Sequence, residues 1–410
     1  MMRSLHSMLG GTALLLVACG TVSHSDAPNT GQAGTDSGGS ASAGGDSATA
    51  GQAGSRASGG SSSGSSPIDV AGAAGAGSDC GPEAFAGLSV FASGGWDPLG
   101  YPPYALDGCM LVYVAPTAPG ATTGALFLRD LSTGQEILLE TATLEPRRPA
   151  IAGDLIAWEA RVADKSQVRV RYQGQTRDVA GDFVQSGEPR VTADAVVFTA
   201  FLGTEATADT DVFLYDPIAD KAAPVAAGPG QQRFADISHD YVAVTDFSED
   251  PRGYFDEAQS IADILLVERA TGKATSRPRE GKQAFPLLGD SGALVYLDWG
   301  AVHPEPKFSQ FSLRAGDVTA AAIADVDLKG EPVQTNPAYV RPSLRGLNVD
   351  FIDTQNSVGL YRVVLGTGAA PVLTPIAGAA QLFGPVAADE LTLVSQPLAG
   401  QTLKLTAVAR

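Results

Sequence analysis

Histidine, cysteine, tryptophan and positive charge are all scarce in this chain of 410 residues. It has four His, three Cys and three Trp, and 27 Lys and Arg stand against 45 Asp and Glu. The formal net charge is −18 and the isoelectric point about 4.5. No block of Lys or Arg interrupts that balance, which opposes phosphate backbones and anionic lipid surfaces and so argues against nucleic-acid binding. Among the repeats described below only His239 and His303 occur. They form no pair at metal-ligand spacing, so a zinc site is not expected, and nothing points to a Ser-His-Asp constellation. Asp325-x-Asp327-x-Lys329-Gly330 begins like a calcium loop, but Lys329 takes the third acidic position and Asn336 the place of the closing Glu.

The first apolar run, Met8–Ala18, is too short to span a bilayer and follows a positive start at Arg3. It ends in Leu16-Val17-Ala18-Cys19. These four residues resemble a bacterial lipobox, which implies that residues 1–18 are a lipoprotein signal peptide and that Cys19 is lipidated. One acyl chain holds a protein only marginally, whereas two or three hold it firmly. Gly20 stands where an Asp would resemble an inner-membrane retention signal, so the outer membrane is the expected address. Residues 19–79 are almost wholly Gly, Ser, Ala and Thr with no aromatic side chain. Such a composition reads as a flexible tether of roughly 40–45 Å end to end. Gly60-Ser61-Ser62-Ser63-Gly64 matches a nucleophile pattern, but no strand or helix flanks it and the match is expected by chance.

Residues 80–410 differ. Short apolar strands close on a large apolar residue at Tyr113, Trp158, Phe198, Val244, Tyr296, Phe351 and Leu393, at gaps of 45, 40, 46, 52, 55 and 42 residues. A strand-filled period of that size reads as the blades of a β-propeller. The expected fold is therefore all-β, a single propeller of seven blades, with six as the alternative count. Third strands are expected at 125–130, 167–172, 211–215, 263–268, 308–313, 359–364 and 402–408. Gly134, Gly272 and Gly366-Thr367-Gly368 mark the turns that follow several of them. The seventh repeat ends on its third strand, while Leu88–Ala92 is an orphan strand upstream of the first. The orphan is expected to pair with 402–409 and close the last blade.

The Pro-x-apolar-x-Gly-Asp-x-apolar-apolar-aromatic stretch at Pro149–Trp158, its variant at Pro189–Phe198, and Asp211–Asp216 resemble the repeats of TolB-like propellers of bacterial envelopes. The likeness covers roughly residues 85–410. It implies the fold and an envelope setting. A tether precedes the repeats where that family carries an α/β domain, so the colicin-import role is not carried over. Trp96-Asp97 stands alone, so this is no WD repeat.

Cys80 and Cys109 are either a disulfide that pins the closing segment or two unrelated thiols; export permits the bridge. Two residues beyond the closing position, successive blades carry Asp246, Asp298 and Asp353. In a ring these acids lie at one height, on the face made by the loops between second and third strands. Nearby loops supply Asp250, Asp256, Tyr254, Trp299 and Phe308. Carboxylates beside aromatics suit a cation such as calcium, a sugar or a basic protein. The plain alternative is that Asp starts turns and keeps loops soluble. No His, Lys or Arg accompanies the arc in a recognisable arrangement, and only Arg252 lies between two of the loop acids. The expected function is a lipid-anchored, monomeric binding module for an envelope protein or glycan, with no catalytic residue assigned. The alternative is a propeller hydrolase or lyase acting on envelope polysaccharide through paired carboxylates.

Overall fold

The structure, a computed structural model, describes residues 80–410 apart from 93–96, 98, 119, 182, 205–207, 257–259, 290, 301–309, 320–325, 330–332, 335–340, 355–357, 368, 376–380, 389–390 and 399–400. Its strands form seven antiparallel sheets. The first six follow chain order, each running from an innermost to an outermost strand. Blade one spans Tyr104–Asp107 to Glu136–Glu140, blade two Arg147–Ala152 to Gln175–Asp178, and blade three Gln185–Val191 to Lys221–Ala226. Blade four spans Gln232–Ile237 to Ala274–Arg277 and blade five begins at Gln283–Leu288, with Gln310–Asp317 as its third strand. Blade six spans Ser343–Arg345 to Val372–Pro375. Each innermost strand touches that of the next blade, and blade seven touches blade one, so the ring is closed.

Blade seven is a composite. Phe383–Ala387, Leu391–Pro397 and Thr402–Ala409 supply three strands, and Ser89–Phe91 supplies the fourth. Ser89 lies opposite Lys404, Val90 opposite Leu403 and Phe91 opposite Thr402. The expected closure by the orphan strand is therefore observed. A second tie crosses the same seam, where the Tyr104 hydroxyl donates to the Phe383 carbonyl. Gly384 must be glycine there. Its φ is +91°, and a Cβ on it would lie 2.5 Å from the Tyr104 oxygen.

Packing explains the sequence pattern. The second strands are buried along most of their length because a sheet covers each face, so they read as continuous apolar runs rather than alternating ones. Apolar clusters fill the spaces between neighbouring sheets. Trp158 of blade two packs with Val112 and Leu126 of blade one, and with Phe91 of the closing strand. Outermost strands are largely exposed, which accounts for their ragged composition. The turns at Gly134, Gly272 and Gly366 have φ of +73°, +69° and +77°, the left-handed conformation that glycine adopts without a steric penalty.

Two sequence expectations are corrected. In blade seven, Val386 pairs with Leu393 as Ala150 pairs with Ala157 in blade two, so Val394 rather than Leu393 is the counterpart of Trp158. In blade five the third strand is Gln310–Asp317, not 308–313.

Candidate functional site

Antiparallel pairing puts the loops between second and third strands on one face of the ring, together with the entries to the innermost strands. Asp246 and Asp298 both lie there, opposite Gln232 and Gln283 in the register. They are braced alike. Asp246 Oδ1 accepts from the Gln232 amide at 3.0 Å and from the Ser248 N–H at 3.0 Å. Asp298 Oδ1 accepts from the Gln283 amide at 3.0 Å and from the Gly300 N–H at 2.9 Å. Asp298 Oδ2 also faces Arg314 Nε at 3.2 Å and Arg279 Nε at 3.4 Å. Asp353 is buried and paired with Lys329. Cations from neighbouring strands and loops thus accompany the arc, contrary to the sequence expectation. Lys329, which spoils the calcium pattern, has a carboxylate partner instead.

Asp250 shapes the long loop of blade four. Its Oδ2 accepts from the Ile261 N–H at 2.6 Å, and its Oδ1 from the Arg252 N–H at 2.8 Å and Arg252 Nε at 3.2 Å. Burial raises its pKa, but the bonds from Arg252 and from the Ile261 backbone outweigh that and hold it below the usual range. Arg252 also reaches Asp256 at 3.3 Å and lies 5.3 Å from the Tyr254 ring. Trp299 packs at 5.5 Å from Phe311 and 6.2 Å from Phe285, with Lys282 Nζ 4.7 Å above it. Phe308 lies outside the described residues. Among the described residues no three His, Cys, Asp or Glu side chains converge as a metal site. Cys80 and Cys109 are joined as a disulfide, their Cα atoms 5.7 Å apart.

A second constellation was not foreseen from the sequence. The innermost strands of blades two, three, four, five and seven carry a bulge after Arg147, Gly187, Arg233, Ala284 and Phe383. At each the next residue has positive φ: Arg148 (52°), Glu188 (59°), Phe234 (54°), Phe285 (58°) and Gly384 (91°). Left-handed backbone at a bulky residue costs of order 1–3 kcal/mol and persists only where the surroundings enforce it. In four of the five a proline follows, which lacks the N–H that the broken ladder would strand. A bulge re-aims its side chain. Here the four non-glycine residues are re-aimed toward the axis.

They meet there with Tyr101, which enters from the segment between the closing strand and blade one. Three guanidinium carbons lie over its ring: Arg341 of blade six at 3.9 Å, Arg190 of blade three at 4.7 Å and Arg148 of blade two at 5.0 Å. Arg341 also lies 4.2 Å from the Phe285 centroid and 5.4 Å from that of Phe234. Residues from opposite sides of the ring thus touch across the axis.

Carboxylates neutralise part of this charge. Arg148 Nη1 meets Glu159 at 2.9 Å and its Nε meets Asp97 at 2.5 Å. Arg233 meets Glu188 at 2.5 Å. Burial raises the Glu188 pKa, yet Arg233 and Arg148 outweigh it and hold the carboxyl down to about 2. The same carboxylates cap the bulges across blade boundaries. Glu159 accepts from the Glu188 N–H, and Glu188 from the Phe234 N–H, each at 3.3 Å. Thr245 does this for the Phe285 N–H at 3.1 Å. The only warning in the sequence was the residue before each strand's proline, as in Arg148-Pro149, Glu188-Pro189, Phe285-Pro286 and Arg341-Pro342.

No family model and no curated protein matches the sequence. Solved structures do match. The β-propeller domain of the Trilobed protease from Pyrococcus furiosus is 15% identical over 78% of this chain and 95% of its own, with a TM-score of 0.55. Acylaminoacyl peptidase from Pyrococcus horikoshii is 14% identical, with a TM-score of 0.54 over 77% of this chain and 53% of its own. TolB from Acinetobacter baumannii is 15% identical over 52% of this chain and 51% of its own, at a TM-score of 0.36 that is too slight to argue from. These likenesses show the fold. This chain is a seven-bladed β-propeller. The Pyrococcus furiosus domain has an open velcro topology, whereas here Ser89–Phe91 closes the ring.

Proposed function

We propose that this propeller is a non-catalytic binding module, lipid-anchored in the cell envelope, that presents the loop face of blades four and five to an envelope protein or glycan. The observation that carries the reading is how the acids are employed. Asp246, Asp250 and Asp298 each hold a loop through backbone N–H groups and neighbouring side chains, and Asp353 pairs with Lys329. Glycosidic chemistry needs two carboxyls free to take and give protons at a set separation. Carboxylates engaged in this way stiffen a surface instead. The surface they stiffen carries Tyr254, Asp256 and Trp299 on pre-shaped loops, and rigid aromatic and charged side chains are what recognition surfaces use. The lipobox-like Leu16–Cys19 and the 19–79 tether supply the anchor and the reach, with the outer membrane as the address. The protein acts as a monomer and the reading includes no cofactor.

Site-specific photo-crosslinking in the native envelope tests this. A crosslinker at Tyr254 is expected to trap a discrete adduct. One at the exposed Thr133, in a third-to-fourth strand turn on the opposite face, is expected to trap none. Equal labelling from both faces, or none from either, contradicts the reading.

A further inference from the structure

Arg341 is the one axial guanidinium whose charge meets no carboxylate within ion-pair distance among the described residues. Only 7% of it is exposed. Its Nε and Nη2 are buried without a hydrogen-bond partner. Those two atoms are not an arbitrary pair. They form the side-on edge of the guanidinium, whose parallel N–H bonds match the two oxygens of a single carboxylate. Tyr101 and Phe285 lie against the group and fix its orientation. The Tyr101 hydroxyl, buried in the same cluster, also makes no hydrogen bond of normal geometry.

Arg190 also lies over this ring, 4.7 Å from its centroid, and adds a like charge. Its nearest carboxylate, Asp236, is 4.0 Å away. Burial pushes the Asp236 pKa up against the pull of Arg190, and burial likewise pulls the Arg341 pKa down. Aromatic faces offset part of the burial of a cation, but they engage its plane and leave the N–H edge unmatched. Strained bulges hold the neighbouring groups at this point, as preorganised binding groups are held.

We propose that the axis of this propeller is a carboxylate-binding site, in which the Nε–Nη2 edge of Arg341 takes the carboxylate with the Tyr101 hydroxyl as a further donor. The inference does not rest on the loop-face reading. Its ligand is either a small free carboxylic acid or an acidic side chain of a partner segment, since both offer the same two oxygens.

The full chain is titrated calorimetrically at pH 7 and constant ionic strength with three probes. They are succinate, the blocked peptide acetyl-Gly-Asp-Gly-amide with its Asn counterpart, and sodium sulfate. Saturable binding of succinate supports a free acid, and saturable binding of the Asp but not the Asn peptide supports an acidic segment. Arg341→Lys keeps the charge without the fork and is expected to weaken binding at least tenfold. Arg341→Met is expected to abolish it. Absence of saturable binding to the unsubstituted chain overturns the proposal whatever the variants do. So does binding that Arg341→Lys leaves unchanged, or sulfate binding as tight as that of the carboxylates.

Discussion

Val90 lies opposite Leu403, so the strand that completes the last blade comes from the chain just before the first. Val90 is fully buried in a cluster with Leu393, Leu403 and Tyr113, and Phe91 is nearly so in one with Val112 and Trp158 of the first two blades. A segment of three residues thus joins both ends of the ring. Phe91→Ala is expected to cost about 3–5 kcal/mol in urea unfolding, as for other buried aromatics. Removing residues 83–93 should lower the melting temperature sharply, not trim a loose end.

Glu188 should make the protein sensitive to acid. Its pKa is about 2 in the fold against 4.5 unperturbed. A depressed folded pKa gives stability that is present above the unfolded value and lost as pH falls through the folded one. The loss should therefore run from about pH 4.5 down to about 2, and amount to about 3 kcal/mol by linkage. Glu188→Gln should lower stability at pH 7 and flatten the acid limb of a stability-against-pH curve. An unchanged limb would mean that the carboxylate is not held by Arg233 and Arg148.

Cys80 and Cys109 enclose a sequence separation of 29 residues. A crosslink of that span restricts the unfolded chain by roughly 3–4 kcal/mol in the loop-entropy account. Thiol counting under denaturing, non-reducing conditions should find neither cysteine free. The Cys80→Ser/Cys109→Ser double variant should melt well below the parent.

Asp298 is 5% exposed and binds Gln283, Gly300, Arg279 and Arg314. Asp298→Asn is expected to cost about 1–3 kcal/mol, because it removes the charge that two arginines face and leaves an amide with fewer acceptors. The same engagement predicts that millimolar calcium leaves the melting temperature unchanged, in the parent and in Asp246→Asn/Asp298→Asn alike. A calcium-dependent rise that the double variant abolishes would show that the acids serve a metal.

Cys19→Ala should move the protein from the membrane to the soluble fraction. Retention of the variant in the membrane would remove the lipid anchor from the functional reading.

Much of the fold was legible because propeller strands repeat at a fixed period and their burial shows in composition. Trp158 and Phe198 stand out since a second strand covered on both faces tolerates only apolar residues. Even the borrowed strand was readable, because a missing fourth strand at one end matched an orphan at the other. Register was less so. Leu393 and Val394 are both apolar and buried, so only pairing with Val386 decides which one is equivalent to Trp158. The axial cluster was hidden for a different reason. Tyr101, Arg148, Arg190 and Arg341 come from four parts of the chain and meet only once the ring has closed.

The central claim, closure of the ring by residues 88–92, is tested most directly by native-state hydrogen exchange. Amide groups in Ser89–Phe91 and in Thr402–Ala409 should share one slow exchange rate, close to that of the buried second strands, because they open together. Exchange of the 88–92 segment at the rate of an unstructured peptide, while 402–409 stays protected, would contradict the account.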